Sequence, residues 1–272
     1  MKTFFLPLLF LLNCIVNSSY CQDRLFTYTY QSNVLQKGQR EFEVWNTIQS
    51  GRKDYYRAFK NRFEVELGLG SNLQTSFYLN LKNVAAESKA NGISTLNTDF
   101  SMSFSNEWKY KLSDPVANSI GSAIYGEYSI SHDEMEFEGK IILDKSIGQS
   151  LHALNLIAEA EFENTTENGE LETESNILYE ADYGFAYRVA KNLQVGFELI
   201  NRNKTNKENG WESSVLYGGP GISFAMEKGW INFSFLPQLA GLYYFKDGYL
   251  ENGKLLTDYE KLEARLVFSC TF

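Results

Sequence analysis

The chain has 272 residues, 15% of them aromatic, and its 25 Lys and Arg against 34 Asp and Glu give a net charge of −9. This acidic balance argues against binding nucleic acid through bulk charge. Beyond residue 21 no stretch approaches the roughly 20 consecutive apolar residues that a spanning helix needs, which excludes a helical membrane protein.

The amino-terminal end is typical of an export signal. Lys2 is followed by the apolar residues 4–12, and small residues precede a cleavage position ahead of Gln22. We therefore expect residues 1–21 to be removed as a signal peptide.

Residues 22–39 are predicted to form a separate amino-terminal segment. Within it, Phe26, Tyr28 and Tyr30 alternate with polar residues. This pattern fits an additional strand, a periplasmic extension or a plug strand inside a barrel. An even number of later strands disfavours the first option.

Residues 40–272 alternate apolar and polar side chains in twelve segments between turn signals. An even count returns both ends of the chain to the same side of a membrane, as single-chain bacterial barrels require. We therefore predict an all-β fold, a transmembrane antiparallel up-and-down β-barrel of about 12 strands. The segments are residues 40–49, 55–70, 73–82, 95–111, 119–131, 134–144, 150–164, 172–189, 193–203, 211–226, 230–245 and 257–272.

The connections between these segments alternate in length. Short turns belong to the periplasm and long loops to the outside of such barrels, so the alternation predicts the orientation. The short connections are residues 71–72, 112–118, 145–149, 190–192 and 227–229, and the longer, more polar ones are residues 84–94, 165–171, 204–210 and 246–256.

One face of the strands is apolar and uncharged, as contact with lipid requires. Representative outward positions are Phe59, Phe63, Leu67, Leu239 and Tyr243. Twelve strands give a barrel between those filled by side chains and those with an aqueous channel, so bulky inward residues predict a narrow or gated pore. The bulky inward candidates are Tyr56, Tyr78, Tyr125, Leu178, Leu236 and Tyr244.

The opposite face is polar and rich in acids. Its charges either fill a narrow barrel with ion pairs and water or line a path that favours cations and neutral polar solutes over anions. The lumen-lining candidates are Lys60, Arg62, Glu64, Glu66, Asp99, Glu107, Glu159, Glu161, Glu180, Asp182, Arg188, Glu198, Arg202, Glu263 and Arg265.

Two histidines limit the available chemistry. His132 beside Asp133 is the pair that a hydrolase mechanism would use, whereas His152 falls on the lipid face. Adjacent strand residues point to opposite faces, so Ser131 and His132 do not form a dyad. We therefore expect no enzyme and no catalytic residue.

No metal or cofactor site is predicted. Glu134, Glu136 and Glu138 share one strand face but spread over about 13 Å, too wide for one ion without help from other strands. The mature chain would keep a single cysteine, Cys270, which excludes an internal disulfide and a thiol metal cluster.

The carboxyl-terminal strand predicts the location. Alternate residues from Leu262 to Phe272 are apolar or small, and the strand ends on an aromatic. This ending resembles the last strand of outer-membrane barrels, which the barrel-assembly machinery reads. We therefore expect the cell outer membrane, with lipid, lipopolysaccharide and that machinery as partners and Phe268 and Phe272 as the assembly signal.

Several short motifs are shared with a known family. Residues 26–28, 34–39, 41–45 and 72–80 resemble an uncharacterised family of Gram-negative outer-membrane barrels with a Leu-Pro-Lys-Gly-type motif, in which Gln36 here replaces the proline. More distantly, the chain resembles the barrels named for the phenol meta-cleavage pathway. That resemblance implies transport by analogy.

The sequence thus predicts a narrow channel or passage protein for small solutes, with an acidic, cation-tolerant lumen. One alternative is a non-transporting structural or partner-binding barrel. Another is an outer-membrane hydrolase.

Overall fold

The computed structural model of the chain describes residues 24–90, 92–167, 170–206, 210–244 and 250–272. The expected signal peptide, residues 1–21, lies outside the described residues. In the part of the chain that is described, no helix is long and apolar enough to span a membrane.

Thirteen strands are present in the described residues, and each runs antiparallel to its neighbours. They are β1 (Arg40–Ser50), β2 (Tyr56–Gly70), β3 (Leu73–Ala90), β4 (Ile93–Ser113), β5 (Gly121–Ile130), β6 (Glu134–Ile147), β7 (Ser150–Glu167), β8 (Glu170–Ala190), β9 (Leu193–Asn206), β10 (Gly210–Met226), β11 (Gly229–Tyr244), β12 (Leu250–Gly253) and β13 (Leu262–Thr271).

The last strand closes the barrel. Phe268 of β13 stands opposite Val44 of β1 and opposite Ile231 of β11. The wall therefore consists of β1–β11 and β13, and pairing removes both sheet edges. The short β12 pairs with the last residues of β11, 241–244, and Gly253 stands opposite Gly241. The prediction of an all-β, twelve-stranded transmembrane barrel is confirmed.

Side chains alternate between the outside and the inside of the wall. In β13, Leu266 and Phe268 are 40% and 41% exposed, whereas Val267 between them is fully buried. A closed barrel satisfies its backbone groups within the wall and turns apolar side chains outward, which is the arrangement that lipid requires.

The barrel has a short-turn end and a hairpin end. Brief turns join β2 to β3, β6 to β7, β8 to β9 and β10 to β11 at the short-turn end, where the chain also finishes at Phe272. The connection from β4 to β5, residues 114–120, lies at the same end. The other connections form the hairpin end.

Two predicted loops at the hairpin end are residues 84–94 and 165–171. Most of their described residues belong instead to paired strands. Ala90 stands opposite Ile93, and the pairing of β7 with β8 continues to Glu167. Apolar and polar residues alternate only weakly in these hairpins. A two-stranded ribbon in water pairs its own backbone groups and buries neither face, so it needs no apolar face.

A bulge in β11 reverses two predicted orientations. Leu239 is unpaired in the register with β10, close to Pro237, which has no N–H for the ladder. Beyond the bulge, Tyr243 packs against an interior cluster and Tyr244 packs against the outer ring of Trp211. The expectations of an outward Tyr243 and an inward Tyr244 are therefore wrong.

The final strand begins at Leu262 rather than at the predicted residue 257, because the chain before it turns into the barrel. Leu255 is 2% exposed and lies against Gly241, and its N–H donates to Oε1 of Gln238 at 2.6 Å. A turn replaces the first part of the expected strand, and the residues on either side of it, Leu255 and Glu260, are buried.

Candidate functional site

Residues 24–39, which we call the plug segment, cross the interior of the barrel towards its short-turn end. From Arg24 to Ser32 every residue except Leu25 is buried, yet the segment belongs to no strand. Buried backbone groups must find hydrogen-bond partners, and without a β-ladder those partners are side chains of the wall.

One carboxylate binds the centre of the plug segment. Glu198 of β9, itself 1% exposed, accepts the backbone N–H groups of Thr27, Tyr28 and Thr29 at 2.9, 2.8 and 2.9 Å. It also accepts the Thr27 hydroxyl at 2.9 Å. Hydrogen bonds to a charged acceptor are the strong class, so Glu198 is the principal latch of the segment.

Other wall residues extend this pattern along the segment. Asn155 of β7 imitates a strand partner, since its Oδ1 accepts the N–H of Tyr30 at 2.6 Å and its Nδ2 donates to the carbonyl of Tyr30 at 2.9 Å. Asp144 of β6 accepts the hydroxyl of Ser32 at 2.7 Å. Strands on widely separated parts of the wall therefore hold one segment.

Three aromatic residues anchor the plug segment in separate apolar clusters. Phe26 packs with Leu151, Ala153 and Ala186 from β7 and β8. Tyr28 lies in a cluster with residues of β9, β10 and β11, and Tyr30 lies in a cluster with residues of β1, β5, β6, β11 and β13. The alternation seen in the sequence thus directs each ring to a different side of the interior.

Above the plug segment, towards the hairpin end, two adjoining cavities of about 460 and 420 Å³ form a polar vestibule. Tyr28 and Tyr30 of the plug segment line the first cavity. The space is large enough for a small solute and ends at the plug.

One wall of the vestibule is basic. Thr47 of β1 stands opposite both Arg265 of β13 and Lys60 of β2, and Lys60 stands opposite Lys82 of β3. Arg265 donates to the carbonyl of Thr27 at 3.0 Å, and its guanidinium lies 3.5 Å from the ring centre of Tyr28. The basic wall therefore contacts the plug segment directly.

The wall across the vestibule is acidic, and its acids face one another between strands. Like charges directly opposite in a sheet destabilise it, so this arrangement is costly for the fold alone. Lys140 offsets part of the charge by an ion pair with Glu138 at 3.0 Å. The cross-strand pairs are Glu134 with Glu163, Glu136 with Glu161 and Glu138 with Glu159.

A partly buried ion-pair network lies in the wall of the vestibule. Arg202 of β9 pairs with Glu180 at 2.7 Å and with Glu263 at 2.5 Å. Glu263 also accepts the hydroxyl of Tyr28 at 2.7 Å and the amide of Gln49 at 2.8 Å. The charged groups of this network are all paired with other side chains. Charges on the inner face can therefore stabilise the fold.

The structure divides the lumen-lining candidates by position. Glu64, Glu66, Glu107, Glu198 and Glu263 are buried and line neither vestibule cavity, and Arg188 lies at the mouth of the short-turn end. The candidates that line the vestibule are Lys60, Arg62, Asp99, Glu159, Glu161, Glu180, Asp182, Arg202 and Arg265.

Several site residues were missed by the sequence analysis. Lys82 and Glu127 line the vestibule and share the alternation of their inward neighbours, so that signal was present. Asn155, Asp144 and Gln74 hold the plug segment, and nothing local in the sequence distinguishes them from other polar residues on the inner face.

The residues considered for catalysis lie apart from the vestibule floor. Ser131 donates to Asp133 at 3.1 Å beside an exposed His132 at the tip of a hairpin. His152 lies on the outer face, where Nδ1 is 2.8 Å from the hydroxyl of Tyr183. Neither histidine contacts a serine through a hydrogen bond among the described residues.

One comparison with a solved structure supports the fold. The β domain of the Bordetella autotransporter BrkA is 11% identical, with a TM-score of 0.52, and the match covers 87% of this chain and 100% of that one. The NanC porin is 10% identical, with a TM-score of 0.48, and the match covers 85% of this chain and 98% of that one. No curated protein matches the chain.

At the level of sequence families, the match extends from within the expected signal peptide through every strand to the final aromatic residue. The chain belongs to a family of unknown function, DUF6662, whose model matches residues 18–272.

Proposed function

We propose that the protein is an outer-membrane channel for small cationic or neutral polar solutes, closed in this conformation by the plug segment. One observation carries this proposal. Tyr28 and Tyr30 form part of the vestibule lining, while Leu25 and Gln31 line a second cavity of about 690 Å³ at the short-turn end. A single segment thus separates two spaces within one barrel.

The nature of the plug contacts supports a gate. The segment is held by side chains rather than by a continuous β-ladder, so it can leave without breaking the wall of the barrel. Its latch, Glu198, is a single carboxylate whose hydrogen bonds are replaceable by water once the segment moves.

The strand connections support an orientation for the barrel. Short turns belong to the periplasm in barrels of this kind, so we expect the vestibule to face the cell exterior and the second cavity to face the periplasm. The exposed Phe272 ends a strand that pairs with β1, consistent with recognition by the barrel-assembly machinery. Membrane lipid and lipopolysaccharide would contact the apolar outer face.

The charge of the vestibule supports a preference among solutes. The row of glutamates on β6 and β7 attracts cations, while the basic wall on β1–β3 and β13 lies almost half a circumference away. We expect small cations and neutral polar molecules to enter more readily than anions.

The burial of the plug aromatics favours a second candidate, a barrel that does not transport. Phe26, Tyr28 and Tyr30 are 3%, 7% and 6% exposed. Withdrawing each ring would cost about 1.5–3 kcal/mol of apolar burial, which suits a permanent interior core. In that case the barrel would stabilise the cell envelope or present its loops to a partner.

Planar-bilayer conductance of the refolded protein distinguishes the two. We expect brief, infrequent openings from the wild type, more frequent openings from Glu198→Gln, and a persistent cation-preferring conductance after deletion of residues 24–35. Glu227→Gln, in an exposed short turn, is the matched control and should behave as wild type.

Silence from the folded deletion variant at every voltage would contradict the channel proposal and favour the non-transporting barrel. Arg62→Ala and Glu180→Ala test the vestibule separately, because both line it and both should change ion preference. Unchanged conductance and preference in both variants would place the conducting path elsewhere.

A further inference from the structure

A second group of acids lies within the wall on the β1–β4 side, outside the vestibule. Glu43 of β1 and Glu64 and Glu66 of β2 are all buried, and each offers a carboxylate oxygen within 4.8 Å of the other two. Glu43 and Glu64 are directly opposite each other across the two strands.

The hydrogen bonds in this group are incomplete. Glu43 accepts the indole N–H of Trp45 at 2.7 Å. Glu64 has no solvent exposure, and apart from the neighbouring carboxyl of Glu66 neither of its carboxylate oxygens has a hydrogen-bond partner among the described residues. A buried carboxylate without a partner is among the costliest groups in a protein interior.

Neighbouring groups add further unpartnered oxygens. Ser76 stands opposite Glu66, and Tyr78 stands opposite Glu64. Both hydroxyls are buried and lack a partner among the described residues, as do both carboxylate oxygens of Glu107, which stands opposite Ser76. The unsatisfied oxygens are therefore concentrated at one place in the wall.

Several basic side chains lie near these acids without forming close ion pairs with them. Arg24 of the plug segment is close enough to Glu43 and Glu64 for their charges to interact, and Lys109 is the basic neighbour of Glu107. Arg24 also lies over the rings of Tyr30 and Trp45, at 4.0 and 4.3 Å from their centres. Arg62 is a further basic neighbour of Glu64, and Lys140 is a further basic neighbour of Glu107. Even so, none of the four carboxyl groups forms an ion pair within 4 Å among the described residues.

The geometry points to a hard divalent cation, and we propose that Glu43, Glu64 and Glu66 bind calcium. Calcium takes oxygen ligands at about 2.3–2.6 Å, so two ligands of one ion lie up to about 5 Å apart, which the three oxygens satisfy. Carboxylates without nitrogen or sulfur ligands favour calcium or magnesium over transition metals. Magnesium demands shorter bonds and retains water, which a fully buried site supplies poorly.

The vestibule contains a comparable trio of glutamates, but their carboxylates are not fully buried. Glu134, Glu136 and Glu161 also bring their oxygens within 4.8 Å, but all three are partly exposed. Water solvates such carboxylates without the help of a cation, so this trio provides the matched control.

Calcium content after refolding tests the site. The wild type, Glu64→Gln and Glu136→Gln are refolded with calcium, passed through a desalting column with chelator and measured by atomic emission. We expect close to one retained ion in the wild type and in Glu136→Gln, and at least a tenfold loss in Glu64→Gln. No retained calcium in the wild type, or equal retention in Glu64→Gln, would overturn the proposal.

Terbium provides a second readout that does not depend on a variant that folds poorly. Its emission is sensitised by a nearby indole, and the Trp45 indole bonds directly to Glu43. We expect terbium emission from wild type refolded with the ion, suppression by competing calcium, and a strong loss of emission per retained terbium ion in Trp45→Phe. Emission that survives in Trp45→Phe, or that Glu136→Gln abolishes, would place the ion in the vestibule and overturn the assignment.

Discussion

The backbone N–H of Tyr28 donates to the carboxylate of Glu198 at 2.8 Å, across 170 positions of sequence. The same carboxylate accepts the N–H groups of Thr27 and Thr29. The most buried part of the amino-terminal segment is therefore bound by one side chain of β9.

Replacing this carboxylate should destabilise the protein. Glu198→Gln keeps the shape but removes the charge and turns one acceptor into a donor, which leaves buried N–H groups unpaired. We expect a loss of about 3 kcal/mol in the free energy of unfolding, measured by urea titration of the refolded protein. Glu227→Gln is the exposed control, and an equal loss there would show that the effect is unrelated to the latch.

A methyl group beneath Phe26 should loosen the plug segment. A Cβ added at Gly184 would lie 2.9 Å from the ring of Phe26, whereas one at Gly139 would meet no atom within 4 Å. We expect Gly184→Ala to cost about 1–3 kcal/mol and to expose residues 24–30 to protease. Gly139→Ala should match the wild type, and identical cleavage of the two variants would contradict the contact.

Loss of the final residue should impair assembly rather than conductance. Phe272 is 68% exposed, and its N–H donates to the carbonyl of Arg40 at 3.1 Å, where the barrel closes. We expect deletion of Phe272 to lower the amount of heat-modifiable protein in membranes by more than Phe235→Ala, a lipid-facing change within the wall. Normal insertion of the truncated chain would remove the assembly role.

The turn between β4 and β5 should respond to acid. The Lys111 ammonium and the backbone N–H groups of Ala117 and Val116 hold the pKa of Asp114 at about 2, below its usual 3.8. A lowered folded pKa means that this stabilisation is present above about pH 4 and is lost as the pH falls towards 2. Asp114→Asn should therefore differ from wild type in stability at pH 7 and converge with it below pH 2. A constant difference across this range would contradict the assignment.

The alternation of outward and inward side chains along each strand was sufficient to predict the barrel. In β13, local spacing alone decides that Leu266 and Phe268 are exposed and that Val267 is buried. It failed beyond Leu239, where a one-residue shift exchanged the faces of Tyr243 and Tyr244. Such a bulge depends on how Pro237 fits between two neighbouring strands. The sequence of one strand does not contain that information.

The site was less accessible to sequence reasoning than the fold. Lys60 and Arg265 were chosen by parity and do line the vestibule. Glu198 was chosen on the same ground, but its bonds to the plug segment depend on contacts between distant parts of the chain. Glu43 and Glu64 come together only through the pairing of β1 with β2, so inspection of single strands does not find them.

The partners of the plug segment also constrain the order of folding. Gln74, Asp144, Asn155 and Glu198 belong to four strands spread along the chain, and each binds a residue between Thr27 and Leu35. The amino-terminal segment leaves the ribosome before all of them, yet its binding surface is complete only when β9 has joined the wall. We therefore expect residues 27–35 to dock only after most of the cylinder has formed, so that their docking reports the late stage of barrel assembly.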